Sequence, residues 1–232
     1  MQAVADFIPP GSYVVDVGTD HAYLPVALLQ NNIAKKVYAS EIAVQPLKQA
    51  ERVLKQYGLL DDERVELVLS DGLDGITPIS VDTIVIAGMG GSTIMDILER
   101  APWTMSEDVH LLLQPMTRAN ELRRFLYEKG YCILEEFPVN DHNHLYTVME
   151  VEYAGFKDTI TDVFSYIGKI PFHQTGAREE YLQFVVTALE KKQKGLEASS
   201  RRSDQKEAKK LSRTIRSILQ ILKGIEQNAN SE

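Results

Sequence analysis

Short apolar runs alternate along the first two thirds of the chain with stretches of helical period. Residues 13–17 (YVVDV), 36–41 (KVYASE), 65–71 (VELVLSD), 83–88 (TIVIAG), 110–115 (HLLLQP) and 132–139 (CILEEFPV) read as strands. Residues 144–154 (HLYTVMEVEYA) read as a last, longer strand. Between them, 23–31, 44–57, 91–100 and 117–129 carry apolar residues every three to four positions and predict helices. Gly58 and Gly130 supply two of the helix stops. Near-continuous apolar strands alternating with helices predict a parallel sheet covered on both faces. Right-handed crossovers then bring the strands' carboxyl ends to one edge, where such sheets bind ligands. The last two strands have no helix between them and predict an antiparallel hairpin closing the sheet. That ending marks the class I methyltransferase variant of the Rossmann-like fold, with seven strands.

The pattern changes after Gly155. Residues 156–176 read as a connector, and the chain is helical from Arg178 onward. Leu182, Val185, Leu189, Lys192 and Leu196 step by three and four, as do Leu211, Ile215, Ile218, Leu222 and Ile225. Two such helices, joined near Ser199–Ser203, predict an antiparallel coiled-coil hairpin. Asp204 and Glu207 have capping-box spacing for the second helix. The expected division is residues 1–160 for a catalytic domain and 161–232 for a connector plus helical domain.

Charge sharpens that division. The whole chain carries −8, yet eleven Lys and Arg face only four Asp and Glu between Glu190 and Gly224. An acidic body with a basic tail points to a polyanionic partner. No stretch reaches the ~20 apolar residues of a membrane span. The N-terminus lacks the basic and apolar regions of a signal peptide. The lone Cys132 opens an apolar run, which predicts a buried strand position and a reducing, cytoplasmic setting. No membrane association is expected, and a monomer is.

The candidate chemistry sits at the predicted strand ends. The first carries Asp16, Gly18, Asp20 and His21, the second Glu41, the third Asp71–Gly72–Leu73, and the fourth AGMGG from Ala87 to Gly91. An acid after the second strand accepts from both hydroxyls of a ribose. An acid after the third accepts from an adenine amino group, while a neighbouring amide donates to a ring nitrogen. An adenosine is therefore expected across the first three strands. A dinucleotide would bring a pyrophosphate, which wants glycine amides rather than carboxylates. S-adenosylmethionine brings a sulfonium and an ammonium, which Asp16 and Asp20 attract. The AGMGG glycines allow close approach to the backbone in a tight turn, with Met89 near the methyl's path or simply packed. The two His of DHNH (141–144) lack a third ligand nearby, so no metal is expected. Trp103 reads as a packing residue.

At DVGTDHAYLP, ASE, SDGL, IAGMGG and LLLQP, in this order, the chain resembles the bacterial tRNA (adenine-22, N1)-methyltransferase family, TrmK. The resemblance spans nearly the whole chain. It implies S-adenosylmethionine as cofactor, tRNA as partner and N1 of adenine as methyl acceptor. It implies cofactor contacts from Asp16, Gly18, Asp20, His21, Glu41, Ile42, Asp71, Gly72, Leu73, Gly88, Met89 and Gly90. Asp20 is the candidate catalytic residue, placed to stabilise the cationic product base, and equally a candidate cofactor contact. Two departures stand out: Met116 where the family pattern expects Asn, and DHNHLY where a Gly-Lys-aromatic turn is expected. The rival readings are a small-molecule methyltransferase and a non-catalytic RNA-binding protein with a methyltransferase-like shell.

Overall fold

Seven strands build one sheet: β1 (Ser12–Val17), β2 (Ala34–Glu41), β3 (Val65–Leu69), β4 (Thr83–Gly90), β5 (His110–Thr117), β6 (Tyr131–Asp141) and β7 (His144–Tyr153). Their spatial order is β3-β2-β1-β4-β5-β7-β6 in this computed structural model, which describes residues 2–78, 81–141, 144–173 and 177–229. β1 through β5 pair in parallel, and β7 runs antiparallel to β5. The order reverses between β1 and β4, which is the switch point where a crevice opens at the carboxyl edge.

The burial explains the apolar runs. Val14 and Val15 on β1, Ile84 to Ile86 on β4, and Leu111 to Leu113 on β5 are all buried, so both faces of the central strands are covered. Helices α1 (Gln2–Ala5), α2 (Tyr23–Gln30), α3 (Val44–Gln56), α4 (Gly91–Arg100) and α5 (Ala119–Lys129) lie between strands or ahead of them. Ile94, Ile97 and Leu98 of α4 pack with Leu122 and Leu126 of α5 and with alternate residues of β1, β4 and β5 in one core. Trp103 packs against this core, as expected. Cys132 is half-buried on β6 rather than fully buried; its sulfur lies 3.7 Å from the Ile133 carbonyl.

Two compact units emerge: Met1–Glu135 with Val148–Asp158, and Glu136–Thr147 with Thr159–Glu232. The outer part of the β6–β7 hairpin thus groups with the C-terminal helices. The second unit contains α6 (Asp162–Ile167), α7 (Ala177–Glu197) and α8 (Arg202–Ala229). Leu182, Val185 and Leu189 of α7 and Leu211, Ile215, Ile218 and Leu222 of α8 share one core, as the spacing predicts, and Val186 joins them. Lys192 stays exposed and breaks the seam. Buried Glu136 is held by the Thr147 hydroxyl at 2.8 Å and the Lys169 amide at 3.1 Å.

Two local expectations fail. AGMGG forms no loop: β4 runs through Gly90 straight into α4, and the register with β5 slips on either side of Met89. A strand bulge at Gly88 (φ +75°) replaces the turn. The capping box also fails, because α8 starts at Arg202 and places Asp204 inside its first turn. There the carboxylate meets the helix dipole and accepts from the Ser203 hydroxyl at 3.1 Å. DHNH falls partly outside the described residues, at His142 and Asn143.

Candidate active site

The segment after β1 holds two of the four non-glycine residues with positive φ among the described residues. Gly18 takes φ +75°, and its amide and that of Thr19 both donate to the Ser40 carbonyl, at 2.8 and 3.0 Å. A side chain at Gly18 would collide with the end of Met89 from β4. Asp20 and Ala22 also adopt left-handed conformations, φ +44° and +54°. Two non-glycine residues in that region within three positions cost energy that the surroundings must supply, a pattern concentrated at functional sites. The turn ends where the Ala22 amide donates to the Thr19 carbonyl and α2 begins.

Asp16, the penultimate residue of β1, is only 5% exposed, and its Oδ2 has no hydrogen-bond partner among the described residues. Burial pushes its pKa up to about 6; the Thr19 side chain opposes the rise and the Glu41 charge adds to it. Asp16 lines a cavity of about 280 Å³ with Gly18, Thr19, Asp20, His21, Tyr23, Leu24, Ala87, Gly88, Gln114 and Val4. Within it, the buried His21 Nδ1 also lacks a partner, while Nε2 lies 3.3 Å from the Asp20 carboxylate.

Glu41, Ile42, Asp71, Gly72 and Leu73 sit along the β2 and β3 ends, beyond the lining of that cavity. The Glu41 carboxylate accepts from the Ala43 amide at 3.0 Å, which fixes its orientation. Ile42 is well exposed beside it. The Ser40 hydroxyl donates to the Gly72 carbonyl at 2.7 Å, tying the β2 end to the segment after β3. Asp71 is gripped by both terminal nitrogens of Arg100, at 2.8 and 2.9 Å, which holds its carboxyl below the usual range. Its remaining lone pairs stay open to a donor. Gly72 is required: a Cβ there would lie 2.9 Å from Ile97 Cγ1 at φ +62°. The Leu73 side chain belongs to the core, which leaves its backbone for any ligand.

Five of the cofactor candidates thus meet in one cavity: Asp16, Gly18, Asp20, His21 and Gly88. Sequence reasoning missed Thr19, Tyr23 and Gln114 as lining residues. Thr19 and Tyr23 lie inside the DVGTDHAYLP stretch, where only the acids, the glycine and the imidazole stand out by type. Gln114 lies in the carboxyl half of β5, so the strand-end rule could have found it had it been carried one strand further.

A methyltransferase domain family matches residues 1–149. The chain is 30% identical to the tRNA (adenine(22)-N(1))-methyltransferase of Bacillus subtilis over 97% of its own length and 94% of the relative's. It belongs to that family, TrmK. The crystal structure of the B. subtilis m1A22 tRNA methyltransferase TrmK superposes with a TM-score of 0.83 at 26% identity, covering 95% of this chain and 96% of that one. A Streptococcus pneumoniae relative crystallised with S-adenosyl-L-methionine gives a TM-score of 0.80 at 27% identity, covering 95% of this chain and 97% of that one. Seven strands with an antiparallel last pair and a C-terminal helical hairpin are therefore the TrmK architecture. No helix among the described residues is long and apolar enough to cross a membrane, and no group of three metal-ligating side chains gathers there.

Proposed function

We propose that this chain transfers a methyl group from S-adenosylmethionine to N1 of adenine 22 in tRNA. The observation that carries the cofactor half is the buried, unpartnered Asp16 oxygen in a cavity that also holds Asp20. A buried anion without a partner is costly in isolation and becomes favourable against a bound cation. The cofactor carries two cationic centres, so these residues fit it. Asp16 and Asp20 would face its charged end, Glu41 the ribose, and the segment Asp71–Leu73 the adenine. When bound, it supplies a methyl group made electrophilic by a sulfonium.

The chain's own residues do the rest by placement. Adenine N1 is already a nucleophile; its lone pair forms the new N–C bond as the S–C pair returns to sulfur. No side chain needs to become covalently attached, so orientation supplies most of the rate. The base leaves as a cation. Asp20, exposed and held in a left-handed turn 3.3 Å from His21, is the carboxylate available to steady that charge. The target base must leave its stack to reach the cavity.

The helical hairpin carries the tRNA grip in this reading. Arg202, Lys206, Lys209, Arg213 and Arg216 step by four and three along α8, and all are exposed. Such spacing lines them on one face over about 21 Å. A stripe of that length suits the phosphates of a folded RNA.

The test is direct. Full-length protein is incubated with methyl-labelled S-adenosylmethionine and bulk bacterial tRNA, and the RNA is digested to nucleosides. Label in 1-methyladenosine is expected. Label confined to another nucleoside, or to small molecules in a cell extract, removes the reading.

A further inference from the structure

The carboxyl half of β5 holds a side chain that the cofactor assignments do not use. Gln114 pairs with Ala87 in the β4/β5 register and lines the same cavity as Asp16, Gly18 and Gly88. The three residues before it, Leu111 to Leu113, are buried and apolar. Gln114 is half-buried, and no hydrogen bond ties its carboxamide to another described residue. It offers the cavity one acceptor and one donor group side by side, without charge. The acids suited to a cation lie on β1 to β3, whereas Gln114 lies on the other side of the β1/β4 switch point. Tyr23 lines the cavity too; it is 52% exposed, with its ring 5.5 Å from that of His21.

The chemistry of the acceptor limits how it can be held. N1 must keep its lone pair free, so no donor can occupy the Watson–Crick edge at that atom. The other polar edge of adenine offers the N7 acceptor and the N6 amino donor. A carboxamide satisfies both at once, whereas a carboxylate serves only N6 and a lysine or arginine only N7. Resting on the function proposed above, we infer that Gln114 holds the target adenine by its N6/N7 edge while Tyr23 offers the stacking face. The same contact rejects guanine, whose O6 is an acceptor and would face the Gln114 oxygen where adenine offers its N6 donor.

The test is a cycle between one side chain and one atom of the RNA. Two tRNA transcripts are made by ligation, identical except for adenine or 7-deazaadenine at position 22. Methylation kcat/KM is measured on both for the wild-type protein and for Gln114→Ala. Calorimetric binding of S-adenosylmethionine serves as the folding control and is expected to be unchanged. Losing N7 should lower wild-type kcat/KM relative to the variant's response by about 10- to 100-fold. Gln114→Ala should lose a similar factor on adenine and be indifferent to the deaza change beyond intrinsic reactivity, which cancels in the cycle. Tyr23→Ala should raise KM for the tRNA. An equal deaza effect in both proteins overturns the contact, since N7 would then be read elsewhere or not at all. Failure of the wild type to methylate adenine 22 would instead sink the proposed function, and this inference with it.

Discussion

Asp16 sets stability and function against each other. Its folded pKa of about 6 lies above the ordinary 3.8, so the folded protein binds this proton more tightly than the unfolded chain. Stability from this group is therefore fully present below pH ~3.8 and is lost as pH rises through about 6. A shift of that size corresponds to about 3 kcal/mol. Cofactor binding has the opposite sign, because only the ionised carboxylate attracts a cation. Affinity for S-adenosylmethionine should fall about tenfold between pH 7.5 and pH 5. Asp16→Asn should bind the cofactor weakly with that pH dependence abolished, yet raise the denaturation midpoint of the ligand-free protein at pH 7.5. Calorimetry across pH and urea melts of both proteins check the pair of outcomes. A parallel loss of affinity and stability would contradict the role given to this carboxylate.

Glu41 and Asp20 make a second contrast between residues. Glu41→Ala should weaken cofactor affinity by about 10- to 100-fold, the value of a hydrogen bond to a charged group of roughly 1.5–3 kcal/mol. The fold should be unaffected, because the hydrogen bond of that side chain to the Ala43 amide is a local one, made within the same turn. Asp20→Ala should reduce turnover much more than affinity if its charge acts on the product base. A loss of turnover wholly explained by binding makes Asp20 a cofactor contact only. That Asp16, Gly18, Asp20 and Gly88 line one cavity was legible in the sequence, because an acid or glycine stands there at a strand end. The left-handed conformations of Asp20 and Ala22 were not, since neither residue type demands one. Nor was the Arg100 clamp on Asp71, which joins residues 29 positions apart and depends on where α4 lies.

Among the elements, the direct passage from β4 into α4 matters most for the site. It presses Gly91 against the segment after β5, where a Cβ would lie 2.8 Å from the Thr117 carbonyl oxygen and 2.9 Å from that of Arg118. Backbone atoms cannot yield as a side-chain end does. Gly91→Ala should destabilise by about 1–3 kcal/mol and shift Gly88 and Gln114 out of place. Thermal melts and cofactor affinity of this variant test the packing; an unchanged midpoint would count against it. Periodicity alone located the strands and the longer helices to within a few residues, because each must bury one or two faces, but not the short α1 and α6, which span too few turns to show a period. It could not reveal the bulge at Gly88, which is a property of how β4 and β5 pair. The failed capping box has a similar origin: the turn after Ala198 lets α8 begin two residues before Asp204.

At the scale of the whole molecule, the uneven charge gains a geometry. Composition exposed a basic tail, but only the course of α8 shows five cations on one exposed face. Exchanging Arg202, Lys206, Lys209, Arg213 and Arg216 for Gln leaves the apolar seam of Leu211, Ile215 and Ile218 intact. That variant should bind S-adenosylmethionine normally and tRNA much more weakly, with a flatter salt dependence. Each lost phosphate contact should reduce the slope by roughly 0.7–0.9. Equal slopes would reassign the hairpin to stability or assembly. Cutting the hairpin away is a poorer test, because Ile167 and Ile170 pack in the same core as its helices.

In the proposed function, the cavity at the β1/β4 switch point has one central task, delivery of a methyl group to N1 of adenine 22. A methyl at N1 blocks base pairing, so reverse transcription halts there. The decisive measurement compares two tRNA transcripts, one with adenine and one with guanine at position 22, each incubated with protein and S-adenosylmethionine. A strong stop at position 22 is expected on the first transcript and none on the second. A stop elsewhere, or full-length product from the adenine transcript, would contradict that role.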